Sequence, residues 1–271
     1  MESIFALLII PFFILPIYAE EEFLSDEETL LITQSLDIDQ AEFDGKWSFV
    51  TEWKKSSWEQ VKADDGFTYH LRYAHQGDYI YFLIDVQSDT ETNFDEDKAI
   101  ICIDSDNNKS KQIDLNDYCF VSKLSSTDFF GKLLNKQNSF ILNGDNKEFF
   151  AELNEIKHDE FIGIGTVSDD ENKYSKIPHS SYEFKIPTEL VGRSDNYGIL
   201  ISVYDHESDS VYSWPVGVQS DVEEIPSPET WGNLVSPDKS LPEFEIPILI
   251  IISSLLVITL FSRKISLPKM V

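Results

Sequence analysis

Five tryptophans, Trp47, Trp53, Trp58, Trp214 and Trp231, stand among 11 tyrosines and 19 phenylalanines in a chain of 271 residues. An exposed indole offers a flat apolar face on which the C–H face of a sugar can stack, and the same ring is ordinary filler for a β-sheet core. Trp231 sits in a Thr230-Trp231-Gly232 sequence of structural type. Trp53 and Trp58 fall in loop-like sequence and Trp214 precedes Pro215, so these three are the candidate ligand-binding side chains, with core packing as the competing fate.

Asp104-Ser105-Asp106-Asn107-Asn108 sets side-chain oxygens at alternate positions, as the opening of a calcium loop does. Asp104, Asp106 and Asn108 are therefore the candidate metal ligands, and Ca2+ the candidate cofactor. An EF-hand also needs Gly at its sixth position and Glu at its twelfth; Lys109 and Leu115 stand there, so that loop type fails. An acidic turn without metal explains the same letters. Asn108-Lys109-Ser110 is in addition an N-glycosylation sequon, and a glycan on Asn108 would compete with a cation.

Cys102 and Cys119 are 17 residues apart on two strand-like segments. Outside the cytoplasm a disulfide is the expected state, and closing a loop of that size is worth about 3 kcal/mol in the chain-entropy model; two buried thiols are the alternative. The five histidines, His70, His75, His158, His179 and His206, leave a bis-His haem site open, although His70 and His75 fall on opposite faces of one strand. No GxSxG, HExxH or phosphate-cradling glycine loop is present, and no catalysis is expected.

The elements that must carry these residues read as strands. Phe67–His75 alternates, with Tyr69, Leu71 and Tyr73 on one face and His70, Arg72 and Ala74 on the other. A Gln76-Gly77-Asp78 turn returns the chain into Tyr79–Gln87, with Ile80, Phe82, Ile84 and Val86 on one side, which makes a hairpin. Further strands are expected at Lys98–Asp104, Tyr118–Lys123, Glu148–Ile156, Phe161–Val167, Ser181–Ile186, Tyr197–Asp205 and Val211–Trp214. A helical turn is expected at Pro187–Val191, and 125–147 reads as a weakly patterned excursion. Many short strands with no fixed repeat argue for an all-β, antiparallel β-sandwich over 40–234.

The chain carries 21 basic and 49 acidic residues, a net charge of −28. Such a surface repels phosphates and anionic headgroups, which excludes general nucleic-acid binding. Ile4–Tyr18 is uncharged and apolar and ends at Ala19, as a signal peptide over 1–19 would, and 20–39 is an acidic lead-in. Past a stalk at 235–245, the apolar run Ile246–Phe261 reads as a transmembrane helix over 246–262, followed by the basic residues Arg263, Lys264 and Lys269 in a tail over 263–271. The positive-inside rule puts that tail in the cytoplasm and everything before the helix outside the cell.

Two resemblances follow. Leu241-Pro242-Glu243-Phe244, the apolar run and the basic tail together resemble the PEF-type sorting signals of archaeal surface proteins. That resemblance implies processing by an archaeosortase, whereas an unprocessed helix would be an ordinary membrane anchor. Within the sandwich, Asp44-Gly45, Tyr79–Phe82, Ile100–Asp106, Asp117-Tyr118, Tyr182–Pro187 with Leu190 and Gly192, Ile199–Asp205 and Thr230–Gly232 follow one another in an order similar to that of a known superfamily. It comprises the family-nine carbohydrate-binding modules and the related DOMON and ethylbenzene-dehydrogenase-type haem domains. The resemblance implies a jelly-roll or immunoglobulin-like sandwich and a ligand that is either glycan or haem. The expected role is a non-catalytic, surface-anchored module for carbohydrate or another envelope component; a haem electron-transfer domain and a purely structural surface protein are the alternatives.

Overall fold

The computed structural model describes residues 28–38, 41–49, 51–126, 138–144 and 154–237. In chain order the strands are β1 (Thr29–Leu31), β2 (Ser57–Lys62), β3 (Thr68–Gln76), β4 (Tyr79–Val86), β5 (Lys98–Asp104), β6 (Asp117–Lys123), β7 (Ser139–Asn143), β8 (Asn154–Ile156), β9 (Ile162–Val167), β10 (Ser180–Pro187), β11 (Asn196–Asp205), β12 (Ser210–Trp214) and β13 (Gly232–Val235). A single helical turn, α1 (Thr188–Val191), follows β10, with Gly192 after it at φ +68°.

These strands make two layers. One sheet runs β1-β13-β11-β5-β6-β7-β8, with β12 taking the part of the β11 edge that β13 leaves; the other runs β2-β3-β4-β10-β9. All pairings are antiparallel except β1 with β13. The core lies between the layers and is built by alternation. Tyr69, Leu71 and Tyr73 of β3, Ile80, Phe82, Ile84 and Val86 of β4, and Tyr182, Phe184 and Ile186 of β10 face Ala99, Ile101 and Ile103 of β5 and Ile199, Ile201 and Val203 of β11.

Both outer faces are partly covered as well, which is why the central strands are apolar on both sides. Over the first sheet, Ile225 and Trp231 pack on Ile100, Cys102, Cys119, Val121 and Leu200. Cys102 lies directly opposite Cys119 in the β5–β6 register, and the two form a disulfide. Over the second sheet, Ile38, Trp47 and Trp53 pack on Tyr81 and Leu83.

Four strands fall where no strand was expected. β1 lies within the acidic lead-in and β7 within the 125–147 excursion, while β2 and β13 occupy stretches without alternation. Of the expected strand Glu148–Ile156, Asn154–Ile156 is β8 and the rest lies outside the described residues. So do 1–19 and the segment from 238 to 271 that carries the apolar run. No helix among the described residues is long and apolar enough to cross a membrane.

Candidate functional site

The covering segment on the second sheet is fastened by buried carboxylates. Glu183 of β10 points outward, and its Oε2 accepts the backbone N–H groups of Asp44 (3.0 Å) and Gly45 (2.9 Å) while Oε1 accepts the Trp53 indole N–H at 2.8 Å. Gly45 has φ +94°, and a Cβ there would lie 2.8 Å from Thr166 Oγ1 and 2.9 Å from Ile164, so the loop passes this close only because the residue is glycine. Glu52 gathers the N–H groups of Glu42 and Ser48. Burial, then the neighbouring Glu52 and Asp44, raises the Glu183 carboxyl well above its ordinary range.

Trp53 is consequently fully buried beneath this segment, and Trp214 is buried in the core against Gly232. This corrects the sequence expectation for both: Trp53 becomes interior because its own loop folds back over a sheet, and Trp214, the last residue of β12, joins the interlayer core. Trp58, also expected to meet ligand, is 48% exposed on β2.

Around Trp58 the outward residues of β3 and β4 build a polar-edged aromatic surface. Trp58 pairs with Arg72 and Gln60 with His70 across the β2–β3 ladder, so Trp58, His70 and Arg72 share the outer face. The Trp58 Nε1–H donates to His70 Nδ1 at 3.0 Å, and the two rings lie edge to edge, 5.8 Å apart and 20° from coplanar. His70 Nδ1 therefore accepts, its proton sits on Nε2, and Nε2–H donates to Gln87 Oε1 at 3.1 Å. Burial holds the His70 pKa below its ordinary value, in keeping with a neutral ring.

From the loop between β9 and β10, Tyr174 stacks on His70 at 4.0 Å and 6°. The Arg72 guanidinium lies 5.3, 5.9 and 5.8 Å from the Trp47, Trp58 and Tyr174 rings, its Nε donating to Tyr174 Oη at 2.6 Å and Nη1 to Ser56 O at 3.2 Å. Neither Arg72 Nη2 nor the Gln87 amide nitrogen donates to any protein group among the described residues. A half-exposed indole, held at its edge by the buried His70 imidazole and with two donors at its margin, can stack a sugar ring on its own face and bond its hydroxyls. His70, Arg72, Gln87 and Tyr174 were not foreseen as site residues; the outward phase of His70 and Arg72 on β3 was the available signal.

In three-dimensional comparison the chain is similar to a carbohydrate-binding module of family 9 from Caldicellulosiruptor kristjanssonii. In its complex with glucose the TM-score is 0.48 at 12% identity, over 77% of this chain and 95% of that one; in its complex with cellotriose the TM-score is 0.45 at 11% identity, over 77% and 93%. The sequence matches no family model and none of the curated proteins.

The remaining candidates are placed as follows. Asp104 accepts the N–H groups of Asn108 (3.3 Å) and Lys109 (3.1 Å), Asp106 accepts from Asn116 Nδ2 (3.1 Å), and the Asn108 amide donates to Asp114 (3.1 Å). The 104–117 turn thus engages the oxygens of Asp104 and Asp106 with its own donors. Asn108 is exposed, and Lys109 Nζ is bound to the Trp231 and Gly232 carbonyls.

Of the histidines, His158 pairs with Glu189 at 3.5 Å and His206 lies against Tyr204. His179 is fully buried, with Nε2 2.7 Å from Asp85 Oδ1 and Nδ1 2.7 Å from the Ile177 carbonyl and 2.9 Å from Ser168 Oγ. Burial alone would lower its pKa, but the Asp85 carboxylate and the Ile177 carbonyl raise it. A carbonyl only accepts, so Nδ1 carries a proton and has no lone pair for Ser168. The Ser-His-Asp trio is a structural tie and lacks the base that activates a serine nucleophile.

Proposed function

We propose that the chain is a surface-anchored, non-catalytic module that binds neutral carbohydrate on the Trp58 indole, a platform that His70 holds in place. The observation that carries this reading is the hydrogen-bonded row Trp58, His70 and Gln87. It fixes a half-exposed indole flat on the outer face of a rigid sheet and leaves the Gln87 amide and the Arg72 Nη2 group beside it. Holding the aromatic face rigid before binding reduces the ordering cost on association. With a net charge of −28, anionic glycans are repelled, so the favoured ligand is uncharged. The apolar run Ile246–Phe261 and the basic residues after it support display outside the cell.

Intact cells producing the full chain test both halves of the proposal. Antibody against the sandwich should label them without permeabilisation, and they should capture fluorescent neutral oligosaccharides, glucose and cellotriose conjugates among them. Trp58→Ala, at equal surface labelling, should weaken capture about tenfold or more, the loss of about 1.4 kcal/mol of stacking. Labelling only after permeabilisation overturns the display, and unchanged capture by the Trp58→Ala chain overturns the platform.

A further inference from the structure

One buried carboxylate anchors the loop between β9 and β10, the loop that carries Tyr174. Asp85 of β4 pairs with His70 of β3 and Ser181 of β10, so it shares their outward face, yet it is fully buried. Its two oxygens are divided between two side chains of the loop. Oδ2 accepts the Asn172 amide N–H, and Oδ1 lies 2.7 Å from His179 Nε2. Asn172 Oδ1 in turn accepts the Tyr174 and Ser175 N–H groups at 2.8 and 3.2 Å, so the turn that presents Tyr174 is built on Asp85.

The contacts of His179 fix its protonation. The Ile177 carbonyl, 2.7 Å from Nδ1, only accepts, so Nδ1 carries a hydrogen. A ring lone pair and a carboxylate oxygen cannot face each other at 2.7 Å, so a second hydrogen lies between Nε2 and Oδ1. Both side chains are out of water, and removing either hydrogen would leave two acceptors in contact and an uncompensated buried charge. Burial works against the charged ring, but Asp85, the Ile177 carbonyl and then Asp89 raise the His179 pKa. Asp89, in the connection from β4 to β5, is itself pushed up to about 7, first by burial, and its ionisation adds to the hold. His70 of β3 is held below its ordinary pKa by burial. On the loop itself, Lys176 donates to the Asp170 and Asn172 carbonyls and Asp169 pairs with Lys46, while Asp170, Glu171 and Lys173 are exposed.

Nδ1 has a second neighbour, Ser168 Oγ at 2.9 Å, and a hydroxyl can donate as well as accept. We infer that Asp85 and His179 form a proton-dependent clamp that positions Tyr174: with its proton Nδ1 holds the Ile177 carbonyl, and once that proton leaves to solvent the Ser168 hydroxyl takes Nδ1 and the loop lets go. Because the folded pKa is raised, the fastening is complete below about 6.5, the value of a free imidazole, and is lost as pH rises through the folded value. Release withdraws Tyr174 from the His70 ring and from Arg72 Nε. The Trp58 indole keeps its own bond to His70, so the clamp acts at the margin of the surface and leaves the stacking face in place. That consequence rests on the carbohydrate reading of Trp58, whereas the clamp itself does not.

Two measurements on the full chain in detergent, neither of which uses a sugar, test the clamp. With 15N-labelled histidine, the ring signals that His179→Gln removes should show two bound hydrogens and a titration midpoint above 6.5. Trypsin cleavage after Lys173 and Lys176, relative to a free peptide of residues 169–178 at each pH, should rise at least tenfold as those signals titrate. Asp85→Asn should move both midpoints down by about one pH unit or more, a tenfold loss of proton affinity. Ser168→Ala should move both midpoints up, because the neutral ring then has no donor for Nδ1; a merely structural contact would not give shifts of opposite sign. Should Asp85→Asn fail to fold, the wild-type titration and Ser168→Ala carry the test. A His179 midpoint at or below 6.5, cleavage that does not follow the ring titration, or a downward shift in Ser168→Ala overturns the inference. Sugar capture that fails while these outcomes hold overturns the carbohydrate reading alone.

Discussion

His70 sits between an indole that can only donate and an amide oxygen that can only accept, so its proton has one place to be. A second proton on Nδ1 would meet the Trp58 N–H head on and undo the bond that holds the ring. Burial keeps the His70 pKa below 6.5, so the platform should be intact through neutral pH and lost only in acid. Glycan affinity, followed by Trp fluorescence titration between pH 4.5 and 8, is expected to be flat above 6.5 and to fall below it. A His70→Gln variant, which has no comparable group to protonate, should lose that acid limb; an unchanged limb would locate the titration elsewhere. At this scale the sequence was legible in part. The alternation of β3 put His70 and Arg72 on the face away from the core, but nothing local distinguished Trp58 from Trp53. Their fates differ because a carboxylate 130 residues away, Glu183, draws Trp53 inward.

Strands with an unbroken apolar inward row announced themselves, and β3, β4, β5, β10 and β11 lie within a residue or two of their expected bounds. β2 did not, because it is an edge strand in which only Val61 is buried, and a period-two pattern needs at least two apolar repeats to be seen. β7 carries its apolar residues consecutively, with Phe140 and Leu142 packed on the outer cluster and Ile141 in the interlayer core, so no polar alternation marks it. The parallel pairing of β1 with β13 joins segments some 200 residues apart and has no local signal at all. One close approach between elements is at β9, where a Cβ on Gly165 would lie 2.6 Å from the Tyr182 ring and 2.7 Å from the Lys123 carbonyl. Leu124, at the end of β6, bridges to this glycine, so the two sheets meet here. Gly165→Ala should therefore cost about 1–3 kcal/mol through forced displacement of backbone, seen as a fall of several degrees in Tm. Gly66→Ala, with nothing within 4 Å of its Cβ, isolates the penalty of a positive φ alone and should cost less.

Across the whole molecule the acidic excess acts on stability as well as on ligand choice. Asp44, Glu52 and Glu183 form a cluster under the covering segment, and burial raises each above its ordinary value; for Glu52 and Glu183 the neighbouring acids add to the rise. The cations near them do not remove the effect: Lys46 lies close to Asp44 but is paired with Asp169. A carboxyl whose folded pKa lies above its unfolded value keeps its proton longer in the native state. Between the two values the folded chain binds more protons, and stability falls as pH rises. The stability these groups contribute is complete below about pH 4 and is lost progressively toward neutrality. For the chelated protein, Tm should accordingly rise as pH is lowered from 8 to 5, and Glu183→Gln should flatten the slope. Added sodium chloride should raise Tm most at pH 8, where self-repulsion of the −28 surface is greatest and screening has most to relieve. A Tm that falls between pH 8 and 5, or that salt leaves unmoved, would mean that these carboxyls ionise in the fold as they do in water.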